Sequence, residues 1–233
     1  MKRFAYYQPR SLDEAFGLMK KHDGRARYVA GGTDAILRVK QRAWEPDALI
    51  SLRWIEDLDS INREDGFLVL GSMVLWYDVE NDPLVRQCCP ALAEAARVVA
   101  NPQIRNVATL GGNLCNAAPS ADGVPPLIVM EAALMLSGPD GEREVPVEEF
   151  FKGPGQHCLK PHELLKAIRI PAVTENIGTA FIKMGRVSQD IAVSNVAVLL
   201  EMDGNVCRKC RISAGAHSRS ASPYRRANMK TRR

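Results

Sequence analysis

Two Gly-Gly turns constrain this chain more than any other feature: Ala30-Gly31-Gly32-Thr33-Asp34 and Thr109-Leu110-Gly111-Gly112-Asn113. Each follows a short apolar stretch, Tyr28-Val29-Ala30 and Val107-Ala108-Thr109-Leu110. Glycine lacks a Cβ, so backbone N–H groups in such turns can approach a ligand closely and point at it together. A diphosphate, with its charge spread over several oxygens, suits such a pair without a lysine. Neither GxGxxG nor GxxxxGK[ST] occurs, so neither a Rossmann dinucleotide loop nor a Walker loop accounts for these turns. Two separated turns closing on one diphosphate point to a flavin nucleotide. Gly-Gly pairs also make ordinary tight turns, and that alternative needs no ligand.

The residues from Thr109 to Asp122 are small, polar and almost uncharged, yet lie between apolar segments. A solvent loop normally carries Lys or Glu. A long uncharged loop is expected to be buried against something polar.

Elsewhere the pattern alternates irregularly. Ser11-Leu12-Asp13-Glu14 is a capping box that opens a helix with Leu12, Ala15, Phe16 and Met19 on one face. Thr33 or Asp34 is expected to cap a helix with Ile36, Leu37 and Val39 inward, which puts the first turn at a helix N-terminus. Strands are expected at 28–30, 48–51, 134–136, 144–147 and 164–170. Residues 61–70 read as a hairpin around Glu64-Asp65-Gly66, and Asp203-Gly204 joins another. Pro90 opens a helix with Leu92, Ala95, Ala96 and Val99 as its apolar stripe, and Pro125-Pro126 opens one more. Hairpin signals outnumber crossovers, so the fold class is α+β rather than a doubly wound parallel sheet. The best domain boundary is 171–176, giving units at 1–172 and 177–216.

The net charge of +4 is misleading. Residues 216–233 hold five Arg, one Lys and no acid, so the remainder carries −2. A nucleic-acid partner would rest on this tail alone and is not expected. No apolar run reaches the length of a membrane span, and the first residues lack a signal-peptide core, so a cytoplasmic protein is expected. Cys207-Arg208-Lys209-Cys210 has CxxC spacing but no second pair, so no metal site is expected. Nor does the sequence show a nucleophile-base arrangement, and no catalytic residue is assigned.

The chain resembles the FAD-binding subunit of the molybdenum hydroxylases, which include xanthine, carbon monoxide and nicotinate dehydrogenases. The resemblance covers residues 1 to about 215. It is carried by Phe4-Ala5-Tyr6-Tyr7-Gln8-Pro9, both glycine turns, Asn101-Pro102-Gln103-Ile104-Arg105-Asn106 and Phe181-Ile182-Lys183-Met184-Gly185-Arg186. It implies a two-part FAD-binding domain of the molybdopterin dehydrogenase flavoprotein type, then a small sheet-plus-helix domain. It also implies that Val29, Ala30, Gly31, Gly32, Thr33, Asp34 and Ala35 wrap the FAD diphosphate, with Thr109, Gly111, Gly112 and Asn113 as the second clamp. By the same resemblance Asp122 and Lys183 approach the cofactor and Leu165 lies near the isoalloxazine. The implied partners are a large molybdenum-cofactor subunit and a small subunit with [2Fe-2S] clusters, with NAD as one possible acceptor.

Two other readings stay open. One is a stand-alone flavin oxidoreductase, for which His157 and Cys158 are the adjacent residues able to attach flavin. The other is a cofactor-free scaffold or the inactive remnant of a truncated gene. After Ala216 the sequence departs from the family pattern. Residues 217–233 lack apolar periodicity and have the composition of a disordered basic tail. The switch resembles a frameshift or a shortened gene, or else a variant tail that binds a partner. It should leave one face of the last sheet without its helices, so the C-terminal domain is expected to be incomplete.

Overall fold

The computed structural model describes residues 2–187 and 189–216 and the backbone of 225–229. In chain order the elements are β1 (Ala5–Tyr7), α1 (Leu12–Lys21), β2 (Ala26–Val29), α2 (Ala35–Lys40), β3 (Ala48–Ser51), β4 (Ile61–Glu64) and β5 (Phe67–Gly71). Then come α3 (Trp76–Asn81), α4 (Pro83–Cys88), α5 (Pro90–Arg97), α6 (Pro102–Arg105), α7 (Leu110–Asn116) and α8 (Val124–Val129). The rest are β6 (Ala133–Gly138), β7 (Gly141–Pro146), α9 (Val147–Phe150), β8 (Phe151–Gly153), β9 (Gln156–His157), β10 (Leu164–Pro171), β11 (Ile177–Met184), β12 (Ser194–Asp203), β13 (Val206–Gly215) and β14 (Arg225–Met229).

The α+β class holds, with a small parallel component. Strands β1, β3 and β2 pair parallel in that order, β3 in the middle, and β3 is buried along its whole length. Helix α1 opens as its capping box dictates. Ser11 Oγ accepts from the Glu14 N–H, and Glu14 accepts in return from the N–H of Arg10 rather than of Ser11. Its apolar face places Ala15, Phe16 and Met19 in a small core that also takes Ile50, Leu58, Met73 and Leu164. The larger core lies under the antiparallel sheet β4-β5-β10-β6-β7 and helices α3, α4, α5, α7 and α8. Asp65 and Gly66, at φ 49° and 81°, make the left-handed turn expected between β4 and β5.

Two expectations need correction here. Leu37 points outward, 55% exposed, and only Val39 of α2 is buried. The stretch after Thr109 is not all loop: its first half is helix α7, because Thr109 supplies an N-cap that outweighs two helix-weakening glycines.

The third sheet has the order β11-β12-β13-β14 and is antiparallel throughout. The expected unstructured tail is corrected over Arg225–Met229, which pairs with β13 from Cys210 to Ala214. The rest of that tail lies outside the described residues. The inner face of this sheet packs on α5 and α8 through Phe181, Ala197 and Leu199. Polar ties accompany them: Thr179 Oγ1 accepts from the Ala91 N–H, Glu94 accepts from the Phe181 N–H at 2.7 Å, and Arg211 donates to the Val129 carbonyl at 2.8 Å. The outer face shows Ile182 at 70% exposure and Met184 at 66%, with Leu200 of β12 exposed farther along the same face, opposite Gly178.

The two faces of one strand should therefore respond oppositely to mutation. Phe181→Ala should cost about 3–5 kcal/mol in urea unfolding, as for a buried aromatic. Ile182→Ser, one residue on, should stay within about 0.5 kcal/mol. A large loss at Ile182 would mean that the outer face is covered.

Candidate functional site

The first glycine turn leaves β2 after Val29. Strand β2 is fixed by its parallel pairing with β3 and by the Tyr28 hydroxyl, which donates to the His162 carbonyl. Gly32 sits at φ +77°, a left-handed value that a side chain would strain, and its carbonyl accepts from the Ile36 N–H as α2 begins. Asp34 does not cap α2 with its side chain. Its carboxylate instead accepts from Asn116 Nδ2 at 3.1 Å and from the Thr33 hydroxyl at 3.4 Å. The N–H groups of Gly31, Gly32, Thr33, Asp34 and Ala35 donate to no described residue. Five successive open N–H groups in a turn form an anion-binding concavity.

The second turn is different. The Leu110 N–H donates to the Val74 carbonyl and the Gly111 N–H to the Ser72 carbonyl, both at 3.0 Å. The Gly112 N–H donates to Thr109 Oγ1 and the Asn113 N–H to the Thr109 carbonyl. Its backbone donors are all engaged, so its glycines serve packing. A Cβ on Gly111 would lie 2.5 Å from the Ser72 carbonyl oxygen. The first turn is packed onto this second segment: a Cβ on Gly31 would lie 2.0 Å from the Val107 carbonyl oxygen, and one on Gly112 3.7 Å from the Ala30 Cβ. The two turns meet as one cradle, the first offering backbone donors and the second forming the wall. Two buried polar atoms near the second turn, Asn113 Oδ1 and Ser72 Oγ, have no partner among the described residues; Asn113 Oδ1 lies 3.2 Å from where a Gly123 Cβ would sit. The open backbone donors of the first turn fit a phosphate-bearing group such as FAD.

Asp122 and Lys183 come together although 61 residues separate them. Lys183 Nζ lies 2.7 Å from Asp122 Oδ2, the two side chains being 7% and 8% exposed. Lys183 also donates to the Val98 carbonyl, and Asn195 Nδ2 donates to Asp122 Oδ1 at 2.9 Å. This cluster and the Ala216 N–H on the Pro119 carbonyl bind the third sheet to residues 117–122. The polar surface expected against that uncharged loop is thus the inner face of β11 and β12. Sequence reasoning missed Asn195. Its signal is phase: 195, 197 and 199 share the inward face of β12, and a polar residue there needs a partner.

Leu165 is buried in β10 opposite Leu136, beside a bulge, and belongs to the main core. Arg186 and Asp190 pair with each other in the exposed β11–β12 connection, which pulls the carboxyl below its usual range. His157 stacks on Phe150, and burial lowers its basicity. Burial pushes the Cys115 thiol up to about 12, so it is protonated at neutral pH. Among the described residues no three His, Cys, Asp or Glu side chains gather as a metal site, and no helix is long and apolar enough to cross a membrane.

Comparison with known proteins identifies the family. Residues 2–173 match the family model for the FAD binding domain in molybdopterin dehydrogenase. The chain belongs to this family of flavin-binding oxidoreductase domains, and its cofactor is FAD. It is 35% identical to the carbon monoxide dehydrogenase medium chain of Hydrogenophaga pseudoflava over 211 residues, covering 91% of this chain and 74% of that one. It is 33% identical to a putative xanthine dehydrogenase FAD-binding subunit of Escherichia coli K12, covering 91% of this chain and 73% of the relative. A solved carbon monoxide dehydrogenase from Hydrogenophaga pseudoflava, described as lacking the Mo-pyranopterin moiety of its molybdenum cofactor, superposes with a TM-score of 0.91. That match is 33% identical and covers 96% of this chain and 77% of the other.

The glycines should separate by variant. Gly31→Ala and Gly111→Ala should lower the melting temperature with or without flavin, because each Cβ meets backbone. Gly112→Ala disturbs mainly the Thr109 cap and should cost about 0.5–2 kcal/mol. Equal losses at all three, measured on the flavin-free protein, would contradict the packing role assigned to Gly31 and Gly111.

The ion pair makes a second case. Lys183→Met should cost about 3–5 kcal/mol, since it leaves a buried carboxylate with Asn195 alone. Lys183→Met combined with Asp122→Leu should recover part of that loss in the same denaturation assay.

Proposed function

We propose that this chain is the FAD-binding electron-transfer subunit of a heteromeric molybdenum hydroxylase. In this reading it takes electrons from [2Fe-2S] clusters of a small subunit, downstream of a large subunit with the molybdenum cofactor, and passes them to an acceptor such as NAD. The observation that carries it is the cradle: five open N–H groups at residues 31–35 against the second turn's wall. The names of the relatives support the assembly, a medium chain in one and a FAD-binding subunit in another.

Residues 1–172 act as the FAD-binding domain and 177–216 as the part of a C-terminal flavoprotein domain that docks on it. Val29 and Ala30 lead the chain in, and the backbone of Gly31, Gly32, Thr33, Asp34 and Ala35 holds the diphosphate. Thr109, Gly111 and Gly112 keep the wall in shape, and Asn113 offers its side-chain amide. Asp122 and Lys183 approach the cofactor from the two sides of the domain junction, and Leu165 supports the ring from the core. FAD, when bound, supplies the redox chemistry. What the chain supplies is position and an electrostatic setting. The acid closest to the open N–H groups, Asp34, is tied down by Asn116 and Thr33, and Asp122 is neutralised by Lys183.

The test is the visible spectrum of the purified full chain, alone and co-expressed with neighbouring large and small subunits. A stoichiometric flavin spectrum, lost in Gly32→Val and Gly112→Val, is expected. Molybdenum and iron should copurify on co-expression, with NAD reduction on adding substrate. Stoichiometric FAD retained in both glycine variants would overturn the cradle. Flavin without copurifying metal would favour a stand-alone flavoprotein.

A further inference from the structure

The structure assigns Asn116, with Arg38 and Asp34, a positioning role: together they form a clasp that sets the first glycine turn against the second. Asn116 is the last residue of α7, the helix that follows the second turn. Its amide faces both ways. Nδ2 donates to Asp34 Oδ1 at 3.1 Å, and Oδ1 accepts from an Arg38 guanidinium N–H at 2.7 Å. Asp34 and Arg38 are the N-cap of α2 and the residue one turn later, joined by the Arg38 N–H on the Asp34 carbonyl. One side chain thus pins both ends of the first turn of α2 to α7. Arg38 is held in turn, its guanidinium 4.9 Å from the centre of the Trp44 ring, with Arg27 at 5.7 Å.

The clasp does two things for an anion in the cradle. It fixes α2 relative to α7, so that the open N–H groups of residues 31–35 converge before a ligand arrives. It also manages a charge that works against binding. Asp34 lies inside the anion-binding turn, where an unrestrained carboxylate would repel a diphosphate or accept from the same N–H groups. Asn116 and Thr33 occupy its oxygens, and Arg38 puts a positive charge on the other side of the same amide. Preorganisation of this kind lowers the cost of binding without touching the ligand.

The inference rests on the proposed placement of the FAD diphosphate, and its test is chosen to fail separately. FAD is titrated into the flavin-free full chain, following flavin fluorescence well below the melting temperature of each variant. Asn116→Ala should weaken FAD binding roughly tenfold, equivalent to about 1.4 kcal/mol. Asn116→Asp should be worse than Asn116→Ala, because it sets a second carboxylate against Asp34. If the contact only stabilised the fold, Asn116→Asp would instead gain a salt bridge to Arg38 and bind FAD normally. The double variant Asp34→Asn/Asn116→Asp restores the hydrogen bond with donor and acceptor exchanged, and should return the affinity to that of Asp34→Asn alone. Unchanged affinity in both Asn116 variants, or no recovery in the double variant, overturns the clasp. Failure of the underlying placement shows elsewhere, as FAD retained by Gly32→Val and Gly112→Val.

Discussion

The approach of one backbone to another at Gly31 is the contact on which the arrangement depends. A single Cβ there would collide with the Val107 carbonyl. Because the space is empty, the parallel three-stranded unit can set its first turn directly against the segment that leads into α7. Three consequences follow: the two cores share a seam, the turns become one cradle, and Asn116 comes within reach of α2. A ligand is not needed to explain this glycine. Packing alone requires it.

Much of the local structure was legible. The Ser11 capping box, the prolines at the starts of α5 and α8, and Asp65-Gly66 act through neighbours within four residues, and the sequence shows such neighbours directly. Long-range pairings left weaker traces. Nothing in the sequence pairs Asp122 with Lys183, and the structure joins them to each other and to Asn195. The second glycine turn looked like a donor of N–H groups, yet Val74, Ser72 and Thr109 use those donors. Leu37 was placed inward by helical periodicity, but a helix of six residues against one edge buries little more than Val39. In each case the missing information was the identity of the neighbour across the fold.

The third sheet shows how a docked unit is oriented. Its apolar contacts, Phe181, Ala197 and Leu199, would tolerate sliding. The polar ties would not. Glu94 accepts from the edge N–H of Phe181, Arg211 reaches the Val129 carbonyl, and the Lys183–Asp122–Asn195 cluster fixes the next inward position along β11 and β12. Burial supplies adhesion there and directional bonds supply register. Any group held between residues 109–122 and this sheet inherits that register.

Leu164 belongs to the small N-terminal core although it lies more than a hundred residues beyond the strands it packs against, and Tyr28 reaches His162 in the same region. During synthesis, β1, β2, β3 and α1 therefore emerge long before the residues that close their core. The core beneath these elements is complete only once residue 164 is available to pack. Until then the nascent segment has to be kept from wrong partners, and a gene fragment ending at the close of the parallel sheet would encode an open half-shell rather than a domain. The order of the chain and the order of assembly differ, and the small N-terminal core closes late.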